Sequence, residues 1–440
     1  MNAARRRFAR RTLLGALLTS GAAHALGRTP VGGVLRLVVP YALDQLDPHA
    51  ANDPFSALFA PAIAETLFAR AANGQPYPTL ALGAPEASGG RLKLKLRPAL
   101  VTAAGKRLDA RDVIFSLTRA RSLGGAALLG AFPPPTLAAR DNTTLHFDGI
   151  GAAELADVLA SPTTAIVPRG FSPAAPDGAG PFSARLGGGT LVLSENPLAA
   201  RGAAFLDRIE VRSARDLSDS LRAFETGQAD VGWLGAGLYR PRPSSVRFQG
   251  DTFGWIVLRT GNDAGRWGAP GIAQELLDRI PRERLSHLGL VLPAQSRQSS
   301  TTWGGGAAEL LVRDGSAQLV QTATTLASLL SVAGHVLTPR PLGATELDER
   351  RKSGRYVLML DFVRAVGPPG KATLLALLAA ARPELTSKPP KLPSYEPEVI
   401  ARTLPLGIVG GLRVEGAHLP ELRGLASFQL GGLYLEPQTR

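Results

Sequence analysis

Residues 108–117 read Leu-Asp-Ala-Arg-Asp-Val-Ile-Phe-Ser-Leu and are the most informative segment of the chain. Asp109 stands where a helix N-cap belongs, because a short acidic side chain can accept hydrogen bonds from the free N–H groups of the first turn. The spacing predicts a helix over Ala110–Arg121. Just before it, residues 91–97 alternate between basic and leucine side chains, which is the pattern of a half-exposed strand. A strand followed by a capped helix indicates an α/β segment.

The same alternation of strands and helices extends along the rest of the chain. Strands are predicted near residues 34–40, 144–147, 190–194, 208–213, 254–259, 309–312 and 355–361, and helices over 55–71, 214–229 and 317–333. This alternation favours α/β lobes with largely parallel or mixed sheets. The proline-rich stretch 388–393 predicts a surface connection.

Composition excludes several classes of protein. The 440 residues are enough for two or three domains with buried cores. Because the chain has no cysteine, disulfides, thiolate catalysis, cysteine-based zinc or iron–sulfur sites and a lipid-anchored cysteine are all excluded. Beyond the N-terminus no apolar run reaches the roughly 18–20 residues that span a bilayer. A freely diffusing monomer is therefore expected.

The formal charge of +13 does not by itself indicate a nucleic-acid partner. Five arginines within residues 1–25 contribute to it, and the remaining arginines are scattered without a dense basic patch interleaved with aromatic residues. No nucleic-acid binding is expected. The positive surplus can still attract an acidic ligand or a membrane surface.

Residues 1–25 have the three parts of a secretory signal. Residues 5–11 are strongly basic, residues 12–23 form a short apolar run, and Ala-His-Ala at 23–25 is a small-x-small cleavage site. The pattern predicts export to the periplasm with cleavage near Ala25. The paired arginines resemble a twin-arginine signal, and general export is the alternative because no Ser or Thr precedes the pair.

Seven motifs follow one another in order between residues 34 and 235. They are Leu-Asp-Pro-His at 46–49, Ala-Glu-Thr-Leu at 64–67, Pro-Thr-Leu-Ala at 78–81, the helix segment at 108–117, Gly-Ala-Gly-Pro-Phe at 178–182, Phe-Leu-Asp-Arg-Ile at 205–209 and Ala-Phe-Glu-Thr-Gly-Gln-Ala-Asp-Val at 223–231. In this order they resemble the extracellular solute-binding proteins of family 5, the peptide and nickel transport group. The second half of the chain matches more loosely, and residues 367–369 stand where many members have a tryptophan-and-acid loop.

The resemblance implies an α/β fold of the two-lobed, periplasmic-binding-protein-like type II, with an extra subdomain in lobe one. Lobe one would combine residues 34–252 with 402–440, the extra subdomain would cover 56–178, and lobe two would cover 253–401. It also implies hinged closure on a small solute, with an oligopeptide or peptide-like molecule as the leading expectation, and delivery to an ABC permease in the inner membrane. A ligand sensor or scaffold with the same fold is the alternative. No cofactor or metal is expected.

Five residues of lobe one are candidate ligand contacts. Tyr41 follows the first strand, and the alternative is an ordinary surface tyrosine. Asp47 can hold a ligand amine or organise its loop through an Asx turn. Pro181 and Phe182 would shape the wall of the cleft, or form a plain structural turn. Trp233 can line the ligand pocket, where aromatic side chains are common, or belong to the core.

Three residues of lobe two are further candidates. Trp255 lies beside the expected hinge and faces the ligand or the core. Asp361 ends a strand and can meet the positive end of a ligand, or form a cap or salt bridge. Arg364 can hold a ligand carboxylate through its planar guanidinium. His49 is not expected to bind a metal, because a metal site needs several converging ligands.

No enzyme signature is present. The sequence has no His pair at i,i+4, no G-x-S-x-G elbow and no phosphate-cradling G-x-x-x-x-G-K-[ST] loop. A catalytic residue is therefore not expected, because nothing assembles a nucleophile, a base and an orienting group. A secreted hydrolase whose two carboxylates meet only in the fold is the remaining enzymatic alternative.

Overall fold

The computed structural model describes residues 29–138, 141–233, 242–293 and 299–436. The predicted export signal, residues 1–25, lies outside the described residues. Within these ranges no helix combines the length and the apolar character needed to cross a membrane.

Short strands and helices alternate along the described chain. The strands are β1 Val34–Val39, β2 Phe68–Arg70, β3 Pro76–Pro78, β4 Glu86–Ser88, β5 Arg91–Lys95, β6 Thr136–Leu137, β7 Thr144–Phe147, β8 Phe182–Gly187, β9 Thr190–Glu195, β10 Arg208–Ser213, β11 Val231–Trp233, β12 Val246–Thr260, β13 Ala308–Arg313, β14 Leu337–Leu342, β15 Leu358–Arg364, β16 Leu406–His418, β17 Leu422–Arg423 and β18 Tyr434–Leu435. The α-helices are α1 Pro54–Phe59, α2 Ala110–Arg121, α3 Ala126–Leu129, α4 Ala152–Leu159, α5 Leu217–Glu225, α6 Ile272–Asp278, α7 Ala317–Leu330, α8 Ala344–Ser353, α9 Lys371–Ala381 and α10 Pro397–Ala401. Turns of 3-10 helix occur at Ala60–Ala62, Pro162–Thr164, Asn262–Gly268, Arg282–Arg284, Ser286–Leu288, Pro383–Leu385, Leu425–Ser427 and Leu430–Gly432.

The first sheet has the strand order β1-β10-β9-β8. Strand β1 pairs in parallel with β10, and the other neighbours are antiparallel. Leu35, Leu37 and Val39 alternate along β1 and are all buried, because successive side chains of a strand point to opposite faces. We call this sheet, with the subdomain described below, lobe one.

The second sheet has the order β11-β16-β12-β15-β13-β14. Strand β13 pairs in parallel with β14 and β15, whereas β12 is antiparallel to β15 and β16. We call the part built on β12, β15, β13 and β14 lobe two. The long strands β12 and β16 connect it with lobe one, and their pairing shifts register between Gln249 and Gly254. Bulges of this kind bend a strand pair.

A separate core lies under the small sheet β4-β5-β7-β6. Leu94 and Leu145 of the sheet pack there with Val113 and Leu117 of α2 and with Leu155 of α4. Because this core is distinct from the large cluster under the other two sheets, the region is a subdomain of its own. The mixed α/β architecture and the extra subdomain agree with the predicted fold class.

Helix α2 confirms the prediction made from residues 108–117. It covers Ala110–Arg121, the Asp109 side chain accepts from the N–H groups of Arg111 and Asp112, and the Asp112 side chain accepts from the Asp109 N–H. This reciprocal pair of bonds is a capping box. The helix N-terminus is therefore fixed by residues that are neighbours in sequence.

The helix predicted over 55–71 is wrong in its length. Helix α1 ends at Phe59, a single 3-10 turn covers Ala60–Ala62, and Phe68–Arg70 is a strand that pairs with Pro76–Pro78. Pro61 lies two residues after the helix end, inside the 3-10 turn, and a proline cannot supply the backbone N–H that an α-helix interior requires. The apolar side chains that suggested a continuous helix are divided between two cores, with Leu58 and Phe59 in the large one and Leu67 in that of the subdomain.

Candidate functional site

The loop that follows β1, residues 40–53, lies against the elements of lobe two. The Pro40 carbonyl accepts hydrogen bonds from the Gln318 N–H and the Ser316 hydroxyl, both at 3.2 Å, at the start of α7. Arg313 forms an ion pair with Asp44. Direct polar contacts therefore join the two lobes along one side of the boundary.

Arg364 of β15 makes the deepest contact between the lobes. Its backbone N–H donates to the Ala51 carbonyl at 2.8 Å, and its Nη1 donates to the carbonyls of Pro48 at 2.7 Å and Ala50 at 3.3 Å. The residue is only 2% exposed, and the loss of hydration lowers the pKa of Arg364 to about 10. The side chain is thus a buried cation held by neutral carbonyl groups.

Asp47 is fixed by the extra subdomain rather than left free. Arg119 of α2 donates to both of its carboxylate oxygens, at 2.7 and 2.6 Å, and the His49 N–H donates to it at 3.0 Å. Burial raises the pKa of Asp47, but the hydrogen bonds from Arg119 and His49 outweigh that effect, so the pKa lies below its usual value. The bond from His49 is the Asx turn that was the alternative to a ligand contact.

His49 is completely buried beside Asp47. Its Nε2 lies 2.8 Å from the Ala165 carbonyl and its Nδ1 lies 2.9 Å from Arg119 Nη1. Because Arg119 can only donate, Nδ1 accepts and Nε2 carries the proton of the neutral ring. Burial lowers the pKa of His49 to about 4. Over the described ranges, no group of three or more His, Asp or Glu side chains is arranged to hold a metal ion.

Tyr41 and Trp233 meet in the core of lobe one. They are 2% and 1% exposed, and Trp233 Nε1 lies 3.5 Å from the Tyr41 hydroxyl. The Trp233 ring packs on Phe428 with centroids 5.3 Å apart. The interpretation of Tyr41 as a surface residue is therefore wrong. Burial also raises the pKa of its hydroxyl.

The other candidates occupy three different places. Phe182 is buried at the start of β8, whereas Pro181 is half-buried and its carbonyl accepts from the Asn196 N–H. Trp255, on β12, packs in a core formed with α9, for example against Leu374. In the ladder between β12 and β15, Trp255 lies opposite Val363, the neighbour of Arg364.

Asp361 is the centre of a buried ion network in lobe two. It is 3% exposed and accepts hydrogen bonds from Arg259 Nη1 at 2.9 Å and from Arg351 Nε and Nη2 at 2.8 and 3.0 Å. Burial raises the pKa of Asp361, but the two arginines lower it by more. The pKa therefore lies below its usual value, and the carboxylate is ionised. This is the salt bridge that was the alternative to a ligand contact.

A recess lies at the boundary between the lobes, beside these contacts. Its polar lining comes from both lobes: Gln45, Asn52, Asp53, Arg313, Asp348 and Arg351. The cavity volume is about 30 Å³, which is enough for one or two water molecules. The recess as it stands is therefore too small for a peptide.

None of these recess residues was a candidate from the sequence. Asn52 and Asp348 belong to different lobes but form a hydrogen bond of 3.2 Å. Asp53 caps α1 through the N–H groups of Phe55 and Ser56, and burial raises its pKa to about 6. Only Asp53 carried a local signal, because an acidic residue directly before a helix with proline at its first position indicates an N-cap.

Neither a protein-family model nor a curated protein sequence matches the chain. Solved structures do. The pheromone receptor PrgZ, solved to show its mode of peptide binding, has a TM-score of 0.71 and 14% identity, over 92% of this chain and 100% of its own. The oligopeptide-binding protein AppA of Bacillus subtilis has a TM-score of 0.69 and 13% identity, over 93% and 100%.

The periplasmic binding protein DppA of Helicobacter pylori, which is associated with an ABC transporter, was solved with the peptide STSA. It has a TM-score of 0.69 and 15% identity, over 93% of this chain and 99% of its own. The similarity extends over nearly the whole of both chains. The protein therefore has the two-lobed α/β fold of the periplasmic binding proteins.

Proposed function

We propose that the protein binds a small solute between its two lobes, most simply an oligopeptide or peptide-like molecule, and delivers it to an ABC permease in the inner membrane. The observation that carries this proposal is the fold shared along at least 92% of the chain with proteins whose names state peptide binding. The motif series between residues 34 and 235 supports membership of family 5. The lobes would have the boundaries expected from the sequence.

The described side chains support binding rather than catalysis. The carboxylates of Asp47 and Asp361 are occupied by arginines, and the His49 ring is occupied on both nitrogens. A general acid or base needs a proton-transfer position open to the substrate, and none of these three groups offers one. We propose a monomeric protein without catalytic activity, exported to the periplasm by its N-terminal signal.

The recess between the lobes is the proposed ligand site. Ligand entry would require the register-shifted strands β12 and β16 to bend, and reclosure would then trap the ligand. Asp47 and Arg364 lie on opposite sides of this boundary and are buried, so a ligand would contact them only after the lobes open. The buried Tyr41, Phe182, Trp233 and Trp255 would support the walls.

A titration of the mature protein tests this function. Peptides of two to nine residues, amino acids, sugars and metal complexes would be added separately while the melting temperature is recorded. A ligand at 100 times its Kd stabilises the folded state by about 2.7 kcal/mol. A rise in melting temperature with one class, and native mass spectrometry that detects the complex, would support the proposal. If no class produces a shift, solute capture is wrong.

A ligand sensor or scaffold is the second candidate function. The recess has room only for water, and the lobes already touch through Arg364, Asn52 and Gln318. A sensor that signals through its own conformation would not need to enclose a large ligand. Binding of the protein to membranes that contain its permease, measured with and without ligand, would separate the two functions, because only a transport component should require the permease.

A further inference from the structure

One edge of strand β15 is completed by lobe one. Along its whole length β15 pairs with β12, but on its other side β13 contributes register pairs only at Leu358 and Met359. Further along that strand, the Arg364 N–H donates to the Ala51 carbonyl at 2.8 Å. A backbone group of lobe two is therefore satisfied by the loop of lobe one.

The Arg364 guanidinium binds the same loop. Its Nη1 donates to the carbonyls of Pro48 and Ala50, while Nη2 has no hydrogen-bond partner among the residues that the structure describes. A buried charge is costly unless hydrogen bonds compensate for it, and bonds from a charged donor are stronger than neutral ones. Donor and acceptors belong to different lobes, so these bonds form only when the two lobes are in contact.

The loop whose carbonyls accept these bonds, residues 48–51, is held in place by contacts with the extra subdomain. Arg119 bonds both Asp47 and the His49 ring, the His49 ring bonds the Ala165 carbonyl, and the Gly124 N–H donates to the His49 carbonyl at 2.9 Å. The carbonyls that Arg364 reaches are thus positioned before the lobes meet. Preorganised acceptors lower the entropic cost of forming the contact.

We propose that Arg364 is an internal latch, which stabilises the closed arrangement of the lobes in the absence of any ligand. The guanidinium bridges the lobes in the way that a bound solute would, through the carbonyls of Pro48 and Ala50. A ligand would then have to bind the opened form, and its apparent affinity would fall with the fraction of molecules that are open. The proposal concerns the ligand-free protein and does not depend on the identity of the ligand.

Distance measurements between spin labels test the latch. The natural chain has no cysteine, so Leu198→Cys in lobe one and Leu385→Cys in lobe two, which are 47% and 38% exposed, give two unique labelling sites. We expect one narrow distance distribution for the ligand-free protein. Arg364→Met should lower the closed-to-open ratio about tenfold or more, because the buried carbonyls of Pro48 and Ala50 would lose their donor in the closed form. Arg364→Lys should fall between the two.

The control is Arg91→Ala, which breaks the ion pair with Asp148 inside the extra subdomain and should leave the distances unchanged. If Arg364→Met proves too unstable, hydrogen exchange of the wild type gives a second measurement. The amides of Arg364 and Gln318 donate across the boundary, so slow exchange without ligand is expected. An open ligand-free wild type, or identical distances in Arg364→Met and wild type, would overturn the latch. A failed ligand screen would leave both measurements unaffected.

Discussion

Arg119 donates one hydrogen bond to each carboxylate oxygen of Asp47, 72 residues away, and so ties helix α2 to the loop after the first strand. The side chains are 20% and 10% exposed, so the pair is largely shielded from water. A planar guanidinium matches the carboxylate in a way that an ammonium does not. The geometry of the loop, and of the carbonyls that Arg364 reaches, depends on this pair.

Replacing Arg119 should destabilise the protein. Arg119→Ala leaves Asp47 as a shielded, unpaired charge, and we expect a loss of about 3 kcal/mol in the free energy of unfolding by urea. Arg119→Lys should recover only part of this loss because it cannot bond both oxygens at once. Arg215→Ala is the matched control, since Arg215 is 86% exposed in its contact with Asp219. Equal effects of Arg119→Ala and Arg215→Ala would contradict the structural role of the pair.

The stability should fall on acidification because of His49. Its pKa is about 4 in the folded protein and near 6.5 in the unfolded chain, so the unfolded state binds the proton more readily. The contribution of His49 is fully present above pH 6.5 and is lost as the pH falls towards 4. We expect a loss on the order of 3 kcal/mol over this window, measured by urea unfolding at a series of pH values.

His49→Gln isolates this contribution, because glutamine keeps an N–H donor but does not titrate. Asp53 acts in the opposite direction in the same window. Burial raises its folded pKa to about 6, so its unfavourable charge is relieved as the pH falls. In the Asp53→Asn background the acid-induced loss should therefore be larger than in the wild type. A His49→Gln variant with the same pH dependence as wild type would refute the assignment.

Asp361→Asn should be strongly destabilising. The carboxylate neutralises the guanidinium groups of Arg259 and Arg351, which are 12% and 15% exposed. Without it two shielded cations face each other, and we expect a loss of about 3–5 kcal/mol in thermal or urea unfolding. Glu309→Gln, at an ion pair in which the carboxylate is 55% exposed, is the control and should have little effect. A stable Asp361→Asn variant that loses only ligand affinity would instead support the ligand contact suggested by the sequence.

Gly254 should tolerate no side chain. A Cβ at this position would lie 2.5 Å from the Val363 carbonyl and also collide with the Phe362 ring. Gly254→Ala should cost about 2 kcal/mol or more, because the obstacle includes backbone that cannot move aside cheaply. At Gly187 an added Cβ meets nothing within 4 Å, so Gly187→Ala is the control for thermal unfolding. Equal melting temperatures for the two variants would show that β12 and β15 separate more easily than the structure implies.

The sequence predicted best where the determining contacts are local. Helix α2 covers the predicted residues because its cap and capping partner lie three residues apart. Strand β10 likewise covers the predicted 208–213. The prediction over 55–71 was wrong because strand β2 is stabilised by pairing with β3. The spacing of apolar residues within the segment contains no information about a partner strand.

The chemistry of Arg364 and Asp361 depended on contacts that no local pattern contains. Arg364 binds the carbonyls of residues 316 and 314 positions earlier, and Asp361 meets an arginine 102 positions earlier. Residue type alone allowed either a ligand contact or an internal bond at these positions. The partners that decide between them are backbone carbonyls near the start of the chain for Arg364, and the guanidinium groups of Arg259 and Arg351 for Asp361.

The amino-acid sequence by itself determined the α/β class, the absence of cysteine chemistry and the positions of the capped helix and several strands, because these follow from composition and from interactions over a few residues. Only the tertiary structure decided which charges are buried, that the two lobes touch through Arg364, and that the recess lined by both lobes has room for one or two water molecules. Burial and pairing depend on chain segments brought together by folding, and a one-dimensional pattern carries no distance between them.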